Sequence, residues 1–300
     1  MICKDRVAVV TGAGRGLGRA HALELARQGA KVVVNDLGVS AAGEGGSESP
    51  ARRVAEEIRS LGGEAVADCS DVADGGGARR LVETALEAYG RLDVLVNNAG
   101  FLRDRMLVNL SEDEWDAVVR VHLKGHFLPL KHAGLHWRAE SKAGRPVDAR
   151  VVNTSSGAGL LGSVGQGNYA AAKAGIAALT LVAAAELARY GVTVNAIAPA
   201  ARTRMTERVF AATMAAPRDG SFDAMAPENV SPLVAWLASA GSRGVTGRVF
   251  EVEGGRICVM EGFRHGPASD NGARWEAAGL GPVITGLLAD AAAPEPVYGA

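Results

Sequence analysis

The spacing of one tyrosine and one lysine suits proton transfer. Tyr169 and Lys173 enclose three alanines in the segment Tyr169-Ala-Ala-Ala-Lys173. On a helix these positions share one face, so the ammonium group can lie near the phenol. A nearby positive charge favours the phenolate and lowers the pKa of a tyrosine from its ordinary value of about 10. The pair therefore predicts a general acid/base that exchanges a proton with a substrate oxygen.

A serine precedes this pair at a place where ligands bind. Ser156 follows the run Arg150 to Thr154, which predicts a strand. Open α/β sheets bind ligands at the carboxyl ends of their strands, so the Ser156 hydroxyl can hold the oxygen that Tyr169 protonates. Taken alone, the three residues also fit a surface helical pair and a turn serine. A cofactor-binding motif elsewhere in the chain favours catalysis.

That motif is a glycine-rich segment near the N-terminus, Thr11-Gly-Ala-Gly-Arg-Gly-Leu-Gly18, which joins an apolar run to a segment of helical period. Glycines let the backbone approach a pyrophosphate, and a helix N-terminus supplies N–H groups and a positive dipole. The spacing T-G-x-x-x-G-x-G differs from the general pattern G-x-G-x-x-G. The predicted cofactor-binding residues here are Gly12, Arg15, Gly16, Leu17 and Gly18.

An acidic residue after the second predicted strand bears on the choice of cofactor. Asp36 lies where a carboxylate can accept hydrogen bonds from the adenosine ribose hydroxyls. A 2′-phosphate there would meet like charge, which favours NAD over NADP, although Arg15 could offer a compensating cation. The alternative is that Asp36 is a hydrated polar residue at the end of the strand with no role in cofactor binding.

Short β-branched runs alternate with segments of helical period, which is typical of a parallel sheet covered by helices on both faces. The predicted strands are Val7 to Thr11, Lys31 to Asp36, Ala65 to Asp68, Leu92 to Asn97, Arg150 to Thr154, Thr193 to Ile197 and Val249 to Val252. The predicted helices are Leu17 to Gln28, Ala51 to Leu61, Ala78 to Tyr89, Glu112 to Trp137, Ala170 to Tyr190 and Pro232 to Leu237. The fourth helix opens on the capping box Ser111-Glu-Asp-Glu114, and Pro129 inside it predicts a bend. The fold class is α/β: a single doubly wound Rossmann-type domain with a seven-stranded, mainly parallel sheet.

Two predicted units divide the chain. Residues 1–260 form the Rossmann-type domain, and residues 261–300 form a C-terminal extension without a core of its own. Gly38 to Pro50, rich in Gly and Ser, is interpreted as a loop. Phe210 to Pro227 fits either a substrate lid with adaptable methionines or a surface loop.

Composition excludes several classes of protein. With 32 Lys and Arg against 33 Asp and Glu, the net charge of −1 offers no basic excess for nucleic acid or a membrane surface. Three scattered cysteines indicate neither disulfides nor a zinc site, and the first apolar run is too short for a signal peptide. The apolar stretch Ile176 to Ala185 is shorter than a membrane span. We expect a cytoplasmic protein.

Histidines could suggest a metal, but the pattern is incomplete. The pairs His122/His126 and His132/His136 have a spacing that can bind a metal when a third ligand arrives from elsewhere. The sequence shows no such third ligand, and hydride transfer from a nicotinamide needs no metal. We therefore predict no metal site.

These motifs together resemble the short-chain dehydrogenase/reductase family over about Lys4 to Met260. The resemblance rests on Thr11 to Gly18, Asp71-Val72, Asn97-Asn-Ala-Gly100, Ser156, Tyr169-x-x-x-Lys173, Pro199 with Thr203, and Val245-Thr-Gly-Arg-Val-Phe-Glu-Val-Glu-Gly-Gly255. It implies that Tyr169 is the general acid/base, that Lys173 lowers its pKa and binds the nicotinamide ribose, and that Ser156 orients the substrate oxygen. It further implies a cofactor site completed by Asp71, Val72, Asn98, Ala99, Gly100, Pro199 and Thr203.

Two residues depart from the family pattern. His122 stands where the family usually has an Asn that anchors a water in a proton relay, and imidazole can hold a water as well. Ala200 replaces the usual Gly after Pro199, which predicts a locally different nicotinamide loop.

Within the family, the sequence looks most like the (3R)-hydroxyacyl-CoA dehydrogenase unit of peroxisomal multifunctional enzymes and its bacterial relatives. The similar segments are Asn35-Asp-Leu-Gly38 with its glycine-rich insert, Leu102-Arg-Asp-Arg105, Val121-His-Leu-Lys-Gly125 and Arg204-Met-Thr206. The resemblance implies a homodimer or homotetramer that transfers a hydride between nicotinamide and a secondary alcohol or ketone. The expected substrate is a 3-hydroxyacyl thioester, and Asp36 favours NAD as the cofactor. The alternatives are a hydroxysteroid or other lipid-alcohol dehydrogenase, a 3-oxoacyl thioester reductase that uses NADPH, and a non-catalytic NAD-binding regulator.

Overall fold

The computed structural model describes residues 1–39, 49–203, 214–217 and 219–299. Its strands are β1 (Val7–Val10), β2 (Lys31–Asn35), β3 (Glu64–Asp68), β4 (Val94–Asn97), β5 (Ala149–Thr154), β6 (Val192–Ala200), β7 (Val249–Glu253) and β8 (Arg256–Met260). They form one sheet in the order β3-β2-β1-β4-β5-β6-β7-β8. All pairings are parallel except that of β8 with β7. This arrangement confirms the predicted doubly wound α/β fold.

The sheet has eight strands, so the prediction of seven was one short. β8 turns back on β7 through Gly254 and Gly255, and Gly254 adopts a left-handed backbone with φ +53°. Two glycines between apolar runs are typical of a tight hairpin. β8 lies at the sheet edge, where none of its residues is buried, although it contains the apolar run Ile257-Cys-Val-Met260. This run was not predicted as a strand.

The helices are α1 (Gly16–Arg27), α2 (Ser49–Ser60), α3 (Gly75–Tyr89), α4 (Glu112–Val119), α5 (Gly125–Lys142), α6 (Gly157–Leu161), α7 (Gly167–Leu187), α8 (Ser231–Ala238) and α9 (Leu280–Asp290). Between β1 and β5 the central strands are buried along their whole length. Side chains from α1, α2 and α8 share one hydrophobic cluster, and those from α3, α5 and α7 share the other. The helices therefore cover both faces of the sheet, as a parallel sheet requires.

The predicted helix from Glu112 to Trp137 is two helices. The capping box is present: the Glu114 N–H donates to Ser111 Oγ at 3.2 Å, and the Ser111 N–H donates to Glu114 Oε2 at 3.2 Å. A π-helical turn at Arg120–Lys124 separates α4 from α5, and Pro129 lies inside α5. The break in the regular hydrogen bonding is thus upstream of Pro129 and ends at Gly125.

Helix α7 with the turn that follows it, Gly167–Tyr190, is long and apolar enough to cross a membrane by length and composition alone. The prediction that its apolar stretch is shorter than a membrane span was therefore wrong. Its Ala183 and Ala184 pack in the core beneath the sheet, and Lys173 is buried in its first half. These contacts are those of a helix that covers a sheet.

The C-terminal extension is mostly exposed and contains a helix that the sequence did not predict. α9 buries none of its residues in this chain. The chain then returns to the domain, where Val164 N–H donates to the Tyr298 carbonyl at 3.0 Å.

Candidate active site

The predicted cofactor-binding residues surround one cavity of about 430 Å³ at the carboxyl ends of the strands. Twelve of them line it: Gly12, Arg15, Gly16, Leu17, Gly18, Asp36, Asp71, Val72, Asn98, Ala99, Gly100 and Thr203. Tyr169, Lys173 and Pro199, which are also predicted to bind the cofactor, do not line it. Pro199 lies in β6, paired with Val252, and so supports the segment that carries Thr203 to the cavity.

Two glycines of the phosphate loop have no room for a side chain. Gly12 has φ +63°, and a Cβ there would lie 2.7 Å from the Ala99 Cα. A Cβ on Gly18 would lie 2.2 Å from the Gly12 carbonyl oxygen. The loop therefore packs tightly on β4 and on the first turn of α1, which presents its backbone to the cavity.

The N-terminus of α1 is free to bind an anion. Its N-cap residue, Arg15, makes no side-chain hydrogen bond to the helix, and the first turn holds no acidic residue. The first N–H groups of a helix have no partner inside the helix, and they point along a positive dipole. Tight glycines and an uncapped helix end form a cradle that fits a pyrophosphate.

Thr11 and Asn98 hold this cradle in place. The Asn98 N–H donates to Thr11 Oγ1 at 2.9 Å, and its side-chain amide donates to the Thr11 carbonyl at 3.0 Å. The carbonyl of Gly12 accepts from the same amide at 3.2 Å. Asn98 thus lines the cavity and also ties the end of β4 to the loop after β1.

Asp36 lies at the far end of the cavity from the catalytic residues, directly after β2. Its two carboxylate oxygens accept from the Gly14 N–H at 2.8 Å and the Gly38 N–H at 2.7 Å. Each oxygen keeps a lone pair, so the carboxylate can still accept hydrogen bonds from a ribose. The Arg15 guanidinium reaches the Val39 carbonyl at 3.4 Å, close to the same end of the cavity.

The opposite wall contains residues that sequence reasoning did not single out. Arg120 lines the cavity and forms an ion pair with Asp71. Phe101 and Arg202 also line it, and Arg202 forms an ion pair with Asp223. Arg120 comes from the π-helical turn, directly before the motif Val121-His-Leu-Lys-Gly125, and Phe101 directly follows Asn97-Asn-Ala-Gly100. Their position next to these motifs is the signal that could have found them.

The three predicted catalytic residues come together at the end of β5. Ser156 is the N-cap of α6, and its Oγ accepts from the Ala158 N–H at 3.3 Å. Tyr169, in the first turn of α7, forms a hydrogen bond with the Ser156 side chain. Lys173 lies one turn further along α7, with its Nζ 5.4 Å from the centre of the Tyr169 ring.

The pKa of Tyr169 is raised to about 12, opposite to the lowering that the sequence predicts. Burial raises this pKa most, the hydrogen bond with Ser156 lowers it, and the charge of Asp104 raises it. Lys173 does not offset burial because its Nζ donates to the Thr154 carbonyl at 2.6 Å and lies over the ring face. Burial also lowers the pKa of Lys173 to about 7. In this structure the phenol is protonated at neutral pH.

His122 joins the cavity to Tyr169. Its Nε2 lies 2.7 Å from the Phe101 carbonyl, and its ring meets the Tyr169 ring edge-on with centroids 5.1 Å apart. Burial and the charge of Lys173 lower the pKa of His122 to about 3, so the imidazole is neutral. The Phe101 N–H also lies 3.1 Å from Nε2, so Nε2 accepts from that N–H in one tautomer and donates to the Phe101 carbonyl in the other. Nδ1 has no hydrogen-bond partner among the described residues; it is a donor in the first tautomer and an acceptor in the second. In either tautomer His122 can bind a polar group next to Tyr169, as a relay position requires.

Three predicted segments lie wholly or partly outside the described residues. Arg204-Met-Thr206 lies wholly outside them, and the predicted lid from Phe210 to Pro227 lies partly outside them. The glycine-rich insert is described only at its two ends. Ala200 ends β6, where it pairs with Glu253.

Neither predicted histidine pair forms part of a metal cluster. Across the parts of the chain that the structure describes, no three His, Cys, Asp or Glu side chains come together in a geometry suited to a metal ion. His126 is buried like His122 and accepts from the Thr154 N–H at 3.4 Å.

Comparisons with known proteins agree with this geometry. A family model of short chain dehydrogenases matches residues 6–213. The chain is 49% identical over 261 residues to a hydroxyacyl-CoA dehydrogenase, ChsB1, from Mycobacterium tuberculosis, covering 85% of this chain and 79% of that protein. It is 44% identical over 255 residues to a peroxisomal hydratase-dehydrogenase-epimerase from Neurospora crassa, covering 85% of this chain but 27% of that protein.

A solved structure extends the likeness to the whole fold. The crystal structure of a short chain dehydrogenase from Mycobacterium avium is 61% identical, with a TM-score of 0.89 and complete coverage of both chains. The phosphate cradle, the Ser156–Tyr169–Lys173 cluster and these matches lead to the same conclusion, and they confirm the resemblance seen in the sequence. This chain belongs to the short-chain dehydrogenase/reductase family and is an oxidoreductase that acts on hydroxyl or keto groups.

Proposed function

We propose that this protein uses NAD to interconvert a 3-hydroxyacyl thioester and its 3-oxoacyl counterpart. One observation carries the reaction: a protonated tyrosine, hydrogen-bonded to Ser156 and next to a lysine, lies beside a cavity that ends in a phosphate cradle. The substrate class is supported by relatives named as hydroxyacyl-CoA dehydrogenases and as a 3-oxoacyl-[acyl-carrier-protein] reductase of Synechocystis, 41% identical over 258 residues.

The residues present fit a nicotinamide dinucleotide. The pyrophosphate would lie on the cradle of Gly12, Gly16 and Gly18, and the adenosine ribose would lie by Asp36. Such a cofactor, when bound, accepts a hydride from the carbinol carbon or returns one to the ketone. The protein has to supply binding, orientation and proton transfer.

Tyr169 and Ser156 handle the proton and the oxygen. In the reduction direction, the protonated Tyr169 hydroxyl gives its proton to the ketone oxygen, which the Ser156 hydroxyl holds in place. In the oxidation direction, Tyr169 has to take the hydroxyl proton, so its pKa must fall from about 12. A positive charge next to the phenol favours that phenolate, and Lys173, when protonated, would supply it from 5.4 Å above the ring centre.

Asp36 supports NAD as the preferred cofactor. A carboxylate at the end of β2 can accept from ribose hydroxyls, whereas a 2′-phosphate would place two negative charges side by side. Arg15 lies at the same end of the cavity and would soften this preference. We also propose a cytoplasmic location, because three scattered cysteines without a C-x-x-C pair fit a reducing compartment.

A turnover screen tests the substrate and the cofactor together. The purified protein is incubated with 3-hydroxyacyl-CoA thioesters or with hydroxysteroids, each with NAD or NADP, and reduced nicotinamide is followed by absorbance. We expect the highest kcat/KM for a thioester with NAD. Higher kcat/KM for a hydroxysteroid would make the protein a hydroxysteroid dehydrogenase, and higher kcat/KM with NADP would favour a reductase. Tight NAD binding without any turnover would make it a regulator.

A further inference from the structure

The end of the C-terminal extension lies against the loop that joins Ser156 to Tyr169. Between α9 and this contact, the segment Ala291 to Gly299 contains Pro294 and Pro296, which restrict its backbone. The Val164 N–H donates to the Tyr298 carbonyl at 3.0 Å, and the Tyr298 N–H donates to the Gly162 carbonyl at 3.2 Å. The two segments thus form a short parallel bridge.

Side chains reinforce this bridge. A Cβ on Gly162 would lie 3.3 Å from the Val297 Cγ1, so Val297 packs directly on the loop. The Tyr298 hydroxyl lies 3.4 Å from Glu251 Oε1 on β7, which ties the end of the tail to the sheet. Burial and the Glu251 carboxylate raise the pKa of Tyr298, so its hydroxyl stays protonated and can donate.

The Tyr298 ring covers the residue next to the catalytic serine. A Cβ on Gly157 would lie 2.9 Å from both the Tyr298 Cε2 and its hydroxyl oxygen. Gly157 is the first residue of α6, and Ser156 is the N-cap of that helix. The ring therefore limits movement of the turn that aims Ser156 Oγ at Tyr169.

The other side of the same loop is held by the chain after β4. The Arg105 N–H donates to the Gly165 carbonyl at 2.8 Å, and Gln166 donates to Asp104 Oδ2 at 3.0 Å. The loop from Gly157 to Gly165 is thus fixed between two segments that are distant in sequence. The tail is the one that touches the Ser156 end.

We propose that Val297 and Tyr298 are positioning residues of the active site, which hold the Ser156–Tyr169 loop in its catalytic conformation from the far end of the chain. The inference rests on the proposed role of Ser156 and Tyr169. Val164, Val297 and Tyr298 are also partly exposed beside one another, so the tail gives this edge of the site an apolar surface.

Kinetics of tail variants test the proposal. Tyr298→Ala removes the ring and lets Ser156 move, so we expect kcat to fall about tenfold while the KM for NAD stays unchanged. Tyr298→Phe keeps the ring and should restore kcat to within about twofold of the original protein. Phe263→Ala, at a fully exposed aromatic of the same extension, is the matched control and should change nothing. An unchanged kcat for Tyr298→Ala would overturn the proposal.

A double-mutant cycle tests the contact itself. Gly157→Ala pushes the Tyr298 ring away, so it should lower kcat in the original protein but have little further effect in Tyr298→Ala. If the loss of kcat in the double variant equals the product of the losses in the two single variants, the Tyr298 ring does not act through Gly157. The proposal would then be wrong.

Amide hydrogen exchange separates this inference from the proposed substrate. We expect residues 158–165 to exchange faster in Tyr298→Ala than in the original protein or in Phe263→Ala. Unchanged exchange would overturn the tail proposal whatever the substrate is. If exchange is faster in Tyr298→Ala but the original protein oxidises no thioester, the result contradicts the proposed substrate and not the tail proposal. The kinetics of the tail variants are then measured with the alcohol that the original protein oxidises in the screen.

Discussion

Burial changes the titration of the two groups that carry the proton chemistry. It raises the pKa of Tyr169 to about 12 and lowers that of Lys173 from 10.5 to about 7. Both shifts favour the neutral forms of the side chains, so near pH 7 Tyr169 is neutral and Lys173 is only partly protonated. We therefore interpret the Tyr169 hydroxyl as a proton donor in the free site, which becomes a proton acceptor when a positive charge next to it lowers its pKa.

The lysine shift makes a prediction about stability. Between pH 7 and 10 the unfolded chain binds one more proton at Lys173 than the folded chain does, so raising the pH favours folding. We expect the unfolding free energy of the original protein, relative to Lys173→Met, to rise by about 1 kcal/mol per pH unit in this range. Urea denaturation of both proteins at pH 7, 8 and 9 measures it. Parallel pH dependences would show that Lys173 keeps its ordinary pKa.

At the other end of the cavity, Asp36 sets the cofactor preference through its charge. Asp36→Asn keeps one oxygen for the backbone N–H groups and removes the negative charge. We expect the ratio of kcat/KM with NADP to that with NAD to rise about tenfold, equal to about 1.4 kcal/mol. Asp270→Asn, an exposed aspartate of the extension, serves as the control. An unchanged ratio would remove Asp36 from cofactor selection.

At the scale of elements, the loop after β4 and the π-helical turn fit together at Gly100. A Cβ there would lie 2.1 Å from the His122 Cε1, and the Phe101 backbone holds that ring. Gly100→Ala should therefore cost about 1 to 3 kcal/mol of stability and displace His122 from Tyr169. Its control is Gly75→Ala at the start of α3, where a Cβ meets nothing within 4 Å.

Chemical denaturation and turnover measure both glycine variants. We expect Gly75→Ala to be as stable as the original protein or up to about 1 kcal/mol more stable, with full activity. A Gly100→Ala protein with the stability and kcat of the original would show that the π-helical turn does not constrain the site.

The elements differ in how well local sequence predicts them. Most of the seven predicted strands have continuous apolar runs, and the phosphate loop has closely spaced glycines. These patterns follow from burial and from close backbone approach. The π-helical turn has no such mark, because Arg120–Lys124 is an ordinary helical sequence whose geometry is set by its neighbours. The contact of Tyr298 with Gly157 joins residues far apart in the chain, which no local pattern can indicate.

The site residues show the same division. Ser156 follows the end of β5, and Tyr169 and Lys173 lie one turn apart on α7. Their positions in the sequence therefore predict that the three side chains lie close together. The direction of the tyrosine pKa could not be predicted, because it depends on burial and on where the lysine Nζ points.

At the scale of the whole molecule, the outer faces of α5 and α7 remain apolar. Phe127, Leu135, Leu181 and Val182 are each more than two-fifths exposed. We propose that a second copy of the chain covers this face, because one copy leaves it open to water. Light scattering should give the mass of a dimer or tetramer, a multiple of 30.8 kDa.

Val182→Glu places a charge in that face and should shift the protein towards monomer. Leu61→Glu, at an exposed leucine after α2 on the opposite side of the sheet, is the control and should keep the original mass. An original protein that is monomeric at all concentrations would contradict the proposed assembly.

The central claim, that Tyr169 transfers the proton in a nicotinamide-dependent reaction, is tested most directly by Tyr169→Phe. The variant removes one hydroxyl and leaves the cofactor cavity intact, since Tyr169 does not line it. Turnover of 3-hydroxyacyl-CoA is followed as NADH formation, and NAD affinity is measured by titration. The account predicts unchanged NAD affinity and a loss of kcat of about a thousandfold. A Phe variant with kcat close to that of the original protein would contradict it.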